Sequence, residues 1–288
     1  MIDHIENLVF KGGGVLGIAY AGAIQTLEEK GILKNIKRVA GTSAGSIIAT
    51  LIALKFNSKE IKSILNSTDF KDFLDAGDSA RIVTTYGIYK GDFFLNWLKR
   101  LIKKKTGSED TTFGDLSNKK FLDLIVFATD LTNVELKEFS NKSTPNVIIA
   151  EAVRASMSIP LIFVAWKFTN NVPDDHLYVD GGLLCNYPIS AFERLDNTLG
   201  FFLKIEEESN PLDHNNMMKY IERLLTTVMQ RQAIDFLSNS DQVKASVFIN
   251  SLGISSTNFK LTNDEKTKLF NEGKKSVLSY LAYDKLKV

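Results

Sequence analysis

The 288-residue sequence has one cysteine, Cys185, so an internal disulfide is excluded and nothing asks for an oxidising compartment. Histidine is nearly as scarce. His4, His176 and His214 are the whole set, and no group of Cys and His has metal-site spacing, so neither a metal nor a cofactor is expected. Charge of either sign is not in excess: 35 Lys+Arg against 34 Asp+Glu gives a net charge of +1, which argues against nucleic acid as the main partner. Long hydrophobic runs are missing too. The longest, residues 47–56, is broken by Thr50 and Lys55 and is too short to span a bilayer. Residues 1–6 offer neither the basic nor the apolar region of a secretory signal. The expectation is a soluble cytoplasmic chain that can at most touch a membrane from its surface. No Pro/Gly/Ser-rich linker and no internal repeat divides the sequence, so one domain over residues 1–288 is expected.

What is present is organised around residues 38–46, where a β-prone entry leads through Gly41-Thr42-Ser43-Ala44-Gly45 into an apolar helix. Gly41-x-Ser43-x-Gly45 fits a nucleophile elbow, a strained strand-to-helix turn that exposes the serine hydroxyl. The flanking glycines let the strand and helix backbones pass without side chains between them. Ile47, Ile48, Ala49, Leu51, Ile52, Ala53 and Leu54 leave the helix no polar face before Lys55, so burial on all sides is expected. Its N-terminus, directed at Ser43, would favour a developing anion.

In chain order, a strand at 7–10, a glycine-rich loop at 11–17 and a helix at 18–30 closed by Gly31 precede the elbow. That βαβα order predicts an α/β fold, a central mostly parallel sheet with helices on both faces. Residues 58–105 read as helical and irregular with no clear strand, and 58–110 is a candidate cap. Residues 121–129 and 134–139 read as a hairpin, and Thr144-Pro145 as the N-cap and first residue of a helix through Ile148, Ala152 and Val153. A strand pair is expected at 163–168 and 176–179, and a further strand at 198–205. The segment 214–288 completes the fold with a helix at 217–237, a strand at 245–250 and a last helix opened by the capping box Thr262-x-x-Glu265.

An acyl-transfer site needs a nucleophile, a base within hydrogen-bond reach and donors for the oxyanion. Ser43 supplies the first. For the donors, Gly12, Gly13 and Gly14 follow a strand and let backbone N–H groups converge on one point. No histidine suits the base: His4 precedes the first strand, His214 sits in the polar run 210–216, and His176 lies well upstream of the strand end at Asp180. Asp180, before Gly181-Gly182, is therefore the candidate base. A carboxylate ionises near pH ~3.9 when free, so it must be close, oriented and partly desolvated to act on a serine.

Four segments in this order, Gly12-Gly13-Gly14-Val15-Leu16-Gly17, Gly41-Thr42-Ser43-Ala44-Gly45, Ala155-Ser156-x-x-x-Pro160 and Asp180-Gly181-Gly182, resemble the patatin-like phospholipase family over about residues 8–205. The resemblance implies a three-layer sandwich, a dyad of Ser43 as nucleophile and Asp180 as base, and an oxyanion held by the backbone of Gly13 and Gly14. It also implies hydrolysis of fatty-acyl esters of phospholipids or related glycerolipids without a catalytic metal. One departure stands out: family members often carry a basic residue where this chain has Leu16, and its nearest cation is Lys11. Two other readings stand beside this one. One is a catalytically silent binding protein of the same fold. The other is a nucleotide-binding protein, because Gly12-x-Gly14-x-x-Gly17 matches the dinucleotide fingerprint, although residues 32–39 lack the acidic residue it requires.

Residues 92–105 place Phe93, Phe94, Trp97, Leu98, Leu101 and Ile102 on one helical face and Lys99, Arg100 and Lys103 opposite. That is the pattern of an interfacial helix drawn to anionic lipid, and equally of a surface helix packed on a core.

Overall fold

The chain opens with β1 (Asn7–Phe10), buried at all four positions, crosses over through α1 (Ile18–Glu29) and returns in β2 (Arg38–Thr42) before α2 (Ala44–Ala53). These coordinates come from a computed structural model, which describes residues 4–75, 77–169, 172, 175–205 and 217–285. All ten residues of α2 are buried, as its unbroken apolar sequence predicts. Next come α3 (Ser58–Ser67), α4 (Arg81–Thr85), β3 (Gly87–Tyr89), α5 (Asp92–Thr106), α6 (Phe113–Asn118), β4 (Asp123–Asp130), β5 (Glu135–Ser140) and α7 (Ile149–Ser156). The remainder is β6 (Leu161–Phe163), β7 (Tyr178–Asp180), α8 (Gly182–Cys185), β8 (Thr198–Lys204), α9 (Met217–Leu237), α10 (Ser240–Lys244), β9 (Ser246–Asn250) and α11 (Asn263–Lys285).

The main sheet runs β5-β4-β2-β1-β8-β9, with β7 added to β4. The strands from β4 to β9 along that order pair in parallel, and β5 and β7 are antiparallel to β4. Parallel neighbours need crossovers, which put helices on the sheet faces and bury each strand on both sides. The alternation of side chains separates two cores. Leu8, Phe10, Val39, Phe201 and Leu203 join the large cluster with α1, α2 and α11. Val9, Ala40 and Phe202 point the other way, into a smaller cluster with Ile189, Phe192 and Phe236 of α9. On the large side, α1 and α11 nearly touch: a Cβ on Gly22 would lie 1.8 Å from the Phe270 carbonyl oxygen, and one on Gly273 1.8 Å from that of Ala19.

Three local expectations are corrected. The cap region holds a strand after all: β3 pairs in parallel with β6, Gly87 opposite Leu161 and Tyr89 opposite Phe163, and three residues are too few to display a period. The helix expected from Thr144-Pro145 begins only at Ile149. Residues 144–147 form a turn instead, closed by Val147 N–H on the Thr144 carbonyl at 3.1 Å, while the Pro145 carbonyl takes the Gly114 N–H at 2.8 Å. The strand pair expected at 163–168 and 176–179 shrinks to one bridge, Trp166 to Tyr178. β6 is claimed by β3, and β7 by the edge that β4 leaves open beyond the end of β2.

Helix α5 packs on the core. Phe94, Leu98 and Ile102 are buried, and Lys99, Lys103 and Lys105 form ion pairs with Asp110, Glu109 and Glu60 at 2.8, 3.1 and 2.9 Å. Half of its apolar face is therefore covered by protein, while Trp97 and Leu101 are half-buried and Phe93 is exposed. Among the described residues no helix is long and apolar enough to cross a membrane.

Candidate active site

Sheet register explains how two residues 137 positions apart meet. Thr42, the last residue of β2, lies opposite Phe127 of β4, and the next residue of β4, Ala128, lies opposite Asp180. Residues 128–130 of β4 already carry β5 on one edge, so β7 occupies the edge that β2 has just vacated. β7 thus runs head-on toward the carboxyl end of β2. The residue leaving β2 is Ser43, and the residue ending β7 is Asp180.

Ser43 has φ 53° and ψ −129°, a conformation that costs a side-chain-bearing residue about 1–3 kcal/mol and persists only where its surroundings enforce it. The enforcement is close packing. A Cβ on Gly41 would lie 2.3 Å from the Gly45 carbonyl oxygen, and one on Gly45 would lie 2.3 Å from that of Phe10. The turn is also bonded from outside: Ser43 N–H donates to Ser156 Oγ at 2.8 Å, Ser156 Oγ donates to the Phe127 carbonyl at 2.6 Å, and Thr42 Oγ1 donates to the Cys185 carbonyl at 2.9 Å.

Ser43 Oγ donates to Asp180 Oδ2 at 2.6 Å, with no histidine between them. Asp180 is 1% exposed, and its other oxygen accepts the Gly182 N–H at 2.7 Å. Burial raises its carboxyl from the ordinary 3.8 to about 6, against the opposing pull of the hydrogen bonds from Ser43 and Gly182. Asp180 N–H is held by the Ser158 carbonyl at 2.8 Å. A carboxylate so placed accepts a proton near neutral pH more readily than a free one, and it already holds the hydroxyl it would deprotonate.

The three candidate oxyanion glycines are not equivalent. Gly12 N–H donates to the Asn186 carbonyl at 2.9 Å, so it is committed and the expected set shrinks to two. Among the described residues, the N–H groups of Gly13 and Gly14 reach no protein acceptor. Gly14 has φ 54°, and a Cβ there would lie 2.0 Å from the Ser256 carbonyl oxygen, which also accepts the Val15 N–H at 3.0 Å. The loop is thus pressed against its neighbour, and only glycine fits. Gly12, Gly13 and Gly14 line a cleft with Ser43 and Asp180, walled by Ile159, Ile162, Ile205, Leu225 and Met229. The cleft is open to solvent at its mouth, and the empty space within and before it amounts to about 530 Å³.

Lys11 does not line this cleft. Its buried ammonium donates to the Gly12 carbonyl at 3.3 Å and lies 5.0 Å from the centre of the Phe202 ring, and burial lowers it to about 8. Leu16 is fully buried in the large core. The other histidines stand apart. His176 Nδ1 lies 2.7 Å from Asp130 Oδ2, His4 is exposed, and His214 lies outside the described residues.

Sequence reasoning missed three supports. Ser156 and Ser158 hold one member of the pair each, and the motif Ala155-Ser156-x-x-x-Pro160 marked the segment without indicating that role. Arg154, 2% exposed, donates to Ser158 Oγ and to the carbonyls of Lys90 and Val164. Its only sequence signal was its place one turn before Ser158.

Comparison with known proteins adds the following. The family profile described as Patatin-like phospholipase matches residues 8–193. The uncharacterized protein YqhO of Bacillus subtilis (strain 168) is 34% identical over 291 residues, covering 95% of this chain and 97% of that protein. The probable lipid hydrolase 463L of Invertebrate iridescent virus 6 is 29% identical over 199 residues, covering 67% of this chain and 65% of that protein. VipD from Legionella pneumophila shares the fold, with a TM-score of 0.64 at 20% identity over 97% of this chain and 67% of that one.

Proposed function

The chain belongs to the patatin-like phospholipase family, and on that premise we propose that this lipid hydrolase is a serine esterase cleaving fatty-acyl esters of phospholipids or related glycerolipids through a Ser43–Asp180 dyad. The observation that carries the reading is the 2.6 Å hydrogen bond from Ser43 Oγ to a buried carboxylate, in a cleft with two uncommitted glycine N–H groups. Asp180 Oδ2 takes the hydroxyl proton as Ser43 Oγ attacks the ester carbonyl. The oxygen that becomes anionic faces the N–H groups of Gly13 and Gly14. When the C–O bond to the alcohol breaks, Asp180 returns the proton to the leaving oxygen, and an acyl-serine remains. Water then attacks that ester with Asp180 as base, which frees the fatty acid and restores Ser43. Ile159, Ile162, Ile205, Leu225 and Met229 offer an apolar bed for an acyl chain.

A fluorophosphonate probe should label the wild-type chain at Ser43 and at no other serine. Labelling elsewhere, or none, would sink the assignment. The base also sets a pH profile. Only ionised Asp180 can accept the proton, so kcat/KM should fall about tenfold per pH unit below about 6 and level off above about 7. A single-proton acid limb placed near pH 4 instead would mean that the buried carboxyl is not the group being titrated.

We propose that contact with the lipid surface is made through α9. Leu225, Thr226 and Met229 of α9 line the cleft, while Tyr220, Leu224 and Val228, each one turn from the next, stand exposed on another side beside Lys219 and Arg223. Leu224→Asp combined with Val228→Asp should reduce co-sedimentation with anionic phosphatidylglycerol vesicles about tenfold. Equal binding by the variant would return the membrane contact to another face.

A further inference from the structure

Gly12 is lost to the oxyanion because Asn186 takes its N–H, and Asn186 is itself unusual. It follows α8, is 3% exposed, and has both backbone groups committed: the carbonyl to Gly12 N–H at 2.9 Å, the N–H to Gln232 Oε1 at 2.7 Å. Its side-chain amide has no hydrogen-bond partner among the described residues, yet Asn186 lines the cleft with Ser43 and Asp180. Among the described residues the sealed side-chain atoms without a partner belong to Arg154, Trp166 and Tyr178, so the Asn186 amide is open to the cleft, where water meets it until a substrate takes its place.

Position narrows what that partner is. A Cβ on Gly12 would lie 2.2 Å from Asn186 Oδ1 and 3.2 Å from Ser43 Cβ. One on Gly182 would lie 2.9 Å from Asp180 Oδ1 and 3.1 Å from Asn186 Oδ1. The amide is therefore wedged between two bare glycines on the flank of the dyad, next to the loop that carries the Gly13 and Gly14 N–H groups. No bond fixes which edge faces the cleft, so a half-turn of the amide exchanges Oδ1 and Nδ2. Gln232 of α9 secures the backbone beneath it, with Nε2 donating to the carbonyls of Gly182 and Leu183 at 2.9 Å each. A donor on so firmly held a turn loses little freedom when the transition state forms.

We propose that Asn186 Nδ2 donates to the oxyanion beside the N–H groups of Gly13 and Gly14, as the third donor that Gly12 cannot be. The assignment rests on the hydrolase reading above. Its test compares wild type, Asn186→Ala, the isosteric Asn186→Asp and Ser43→Ala on a soluble short-chain ester. Two inhibitors accompany it: a trifluoromethyl ketone, which adds to the serine and forms an oxyanion, and a non-cleavable ether analogue, which does not. Both Asn186 variants should lose kcat by about 10²–10³-fold with KM within threefold. Trifluoromethyl ketone affinity should fall by a comparable factor while ether affinity stays put. Asn186→Asp keeps the volume, so it carries the test if Asn186→Ala does not fold. A kcat within fivefold of wild type in the folded variants overturns the proposal, as does parallel weakening of both inhibitors, which marks a structural role. Turnover that survives Ser43→Ala would overturn the hydrolase reading itself, and this assignment with it.

Discussion

Ser43→Ala should lower ester hydrolysis by at least ~10⁴-fold, Asp180→Asn should lower it by a similar factor, and the double variant should be no worse than either single one. Side chains that work as one unit do not contribute additively: without the base the hydroxyl stays protonated, and without the hydroxyl the base has nothing to activate. Asparagine keeps the shape of Asp180 but cannot take a proton at neutral pH, so the loss would report chemistry rather than packing. Stability moves the other way. A carboxyl that ionises near 6 folded, against an ordinary 3.8, binds protons more tightly in the folded chain. Its contribution to stability therefore falls as pH rises from about 4 to about 6 and stays lost above that window. At pH 8 Asp180→Asn should melt a few degrees higher than wild type while being nearly inactive. If Asp180→Asn instead kept a tenth of wild-type kcat, another group would have to be the base.

Gly273→Val should cost about 3 kcal/mol or more of folding stability, read as a drop in denaturation midpoint, and Gly22→Val should do the same from the other side. The reason is reciprocal. Each glycine faces a main-chain carbonyl of the opposing helix at a distance no side-chain atom can share, and backbone has no rotamer by which to yield. The helices would have to separate, pulling Leu269 and Val277 out of the large core. Helix α11 lies beyond residues 8–193, where the family profile matches, so this experiment also measures whether the C-terminal segment is integral to a single domain. A midpoint unchanged in both variants would show that α11 is a detachable appendage.

How much could be read from sequence depended on how local each determinant was. The elbow was legible because its demands fall within five residues: Gly41 and Gly45 are needed by contacts with the turn itself and with β1. The buried run after Ser43 was legible for the same reason. Asp180 was reachable by elimination, since no histidine fitted, and by the two glycines behind it. The pairing of β7 with β4 was not legible, because it depends on where β2 stops, a fact written in a different part of the chain. Thr144-Pro145 has the chemistry of a helix start, but the backbone there is claimed by Gly114. The sequence of α5 shows one-sidedness and cannot say which medium covers the apolar side; protein covers Phe94, Leu98 and Ile102 and leaves Phe93 exposed. Asn186 carries no local mark, and the motif around Ser156 marked the segment without its role; the importance of both comes from what folding brings against them.

Ser43 and Asp180 take their backbone bonds from the same three-residue stretch, one through Ser156 Oγ and the other through the Ser158 carbonyl. The pair therefore shares one mooring besides the ends of β2 and β7. Arg154 ties that mooring to the Lys90 carbonyl at the entrance to α5. A disturbance of residues 156–158 would therefore reach hydroxyl and carboxylate together rather than one without the other.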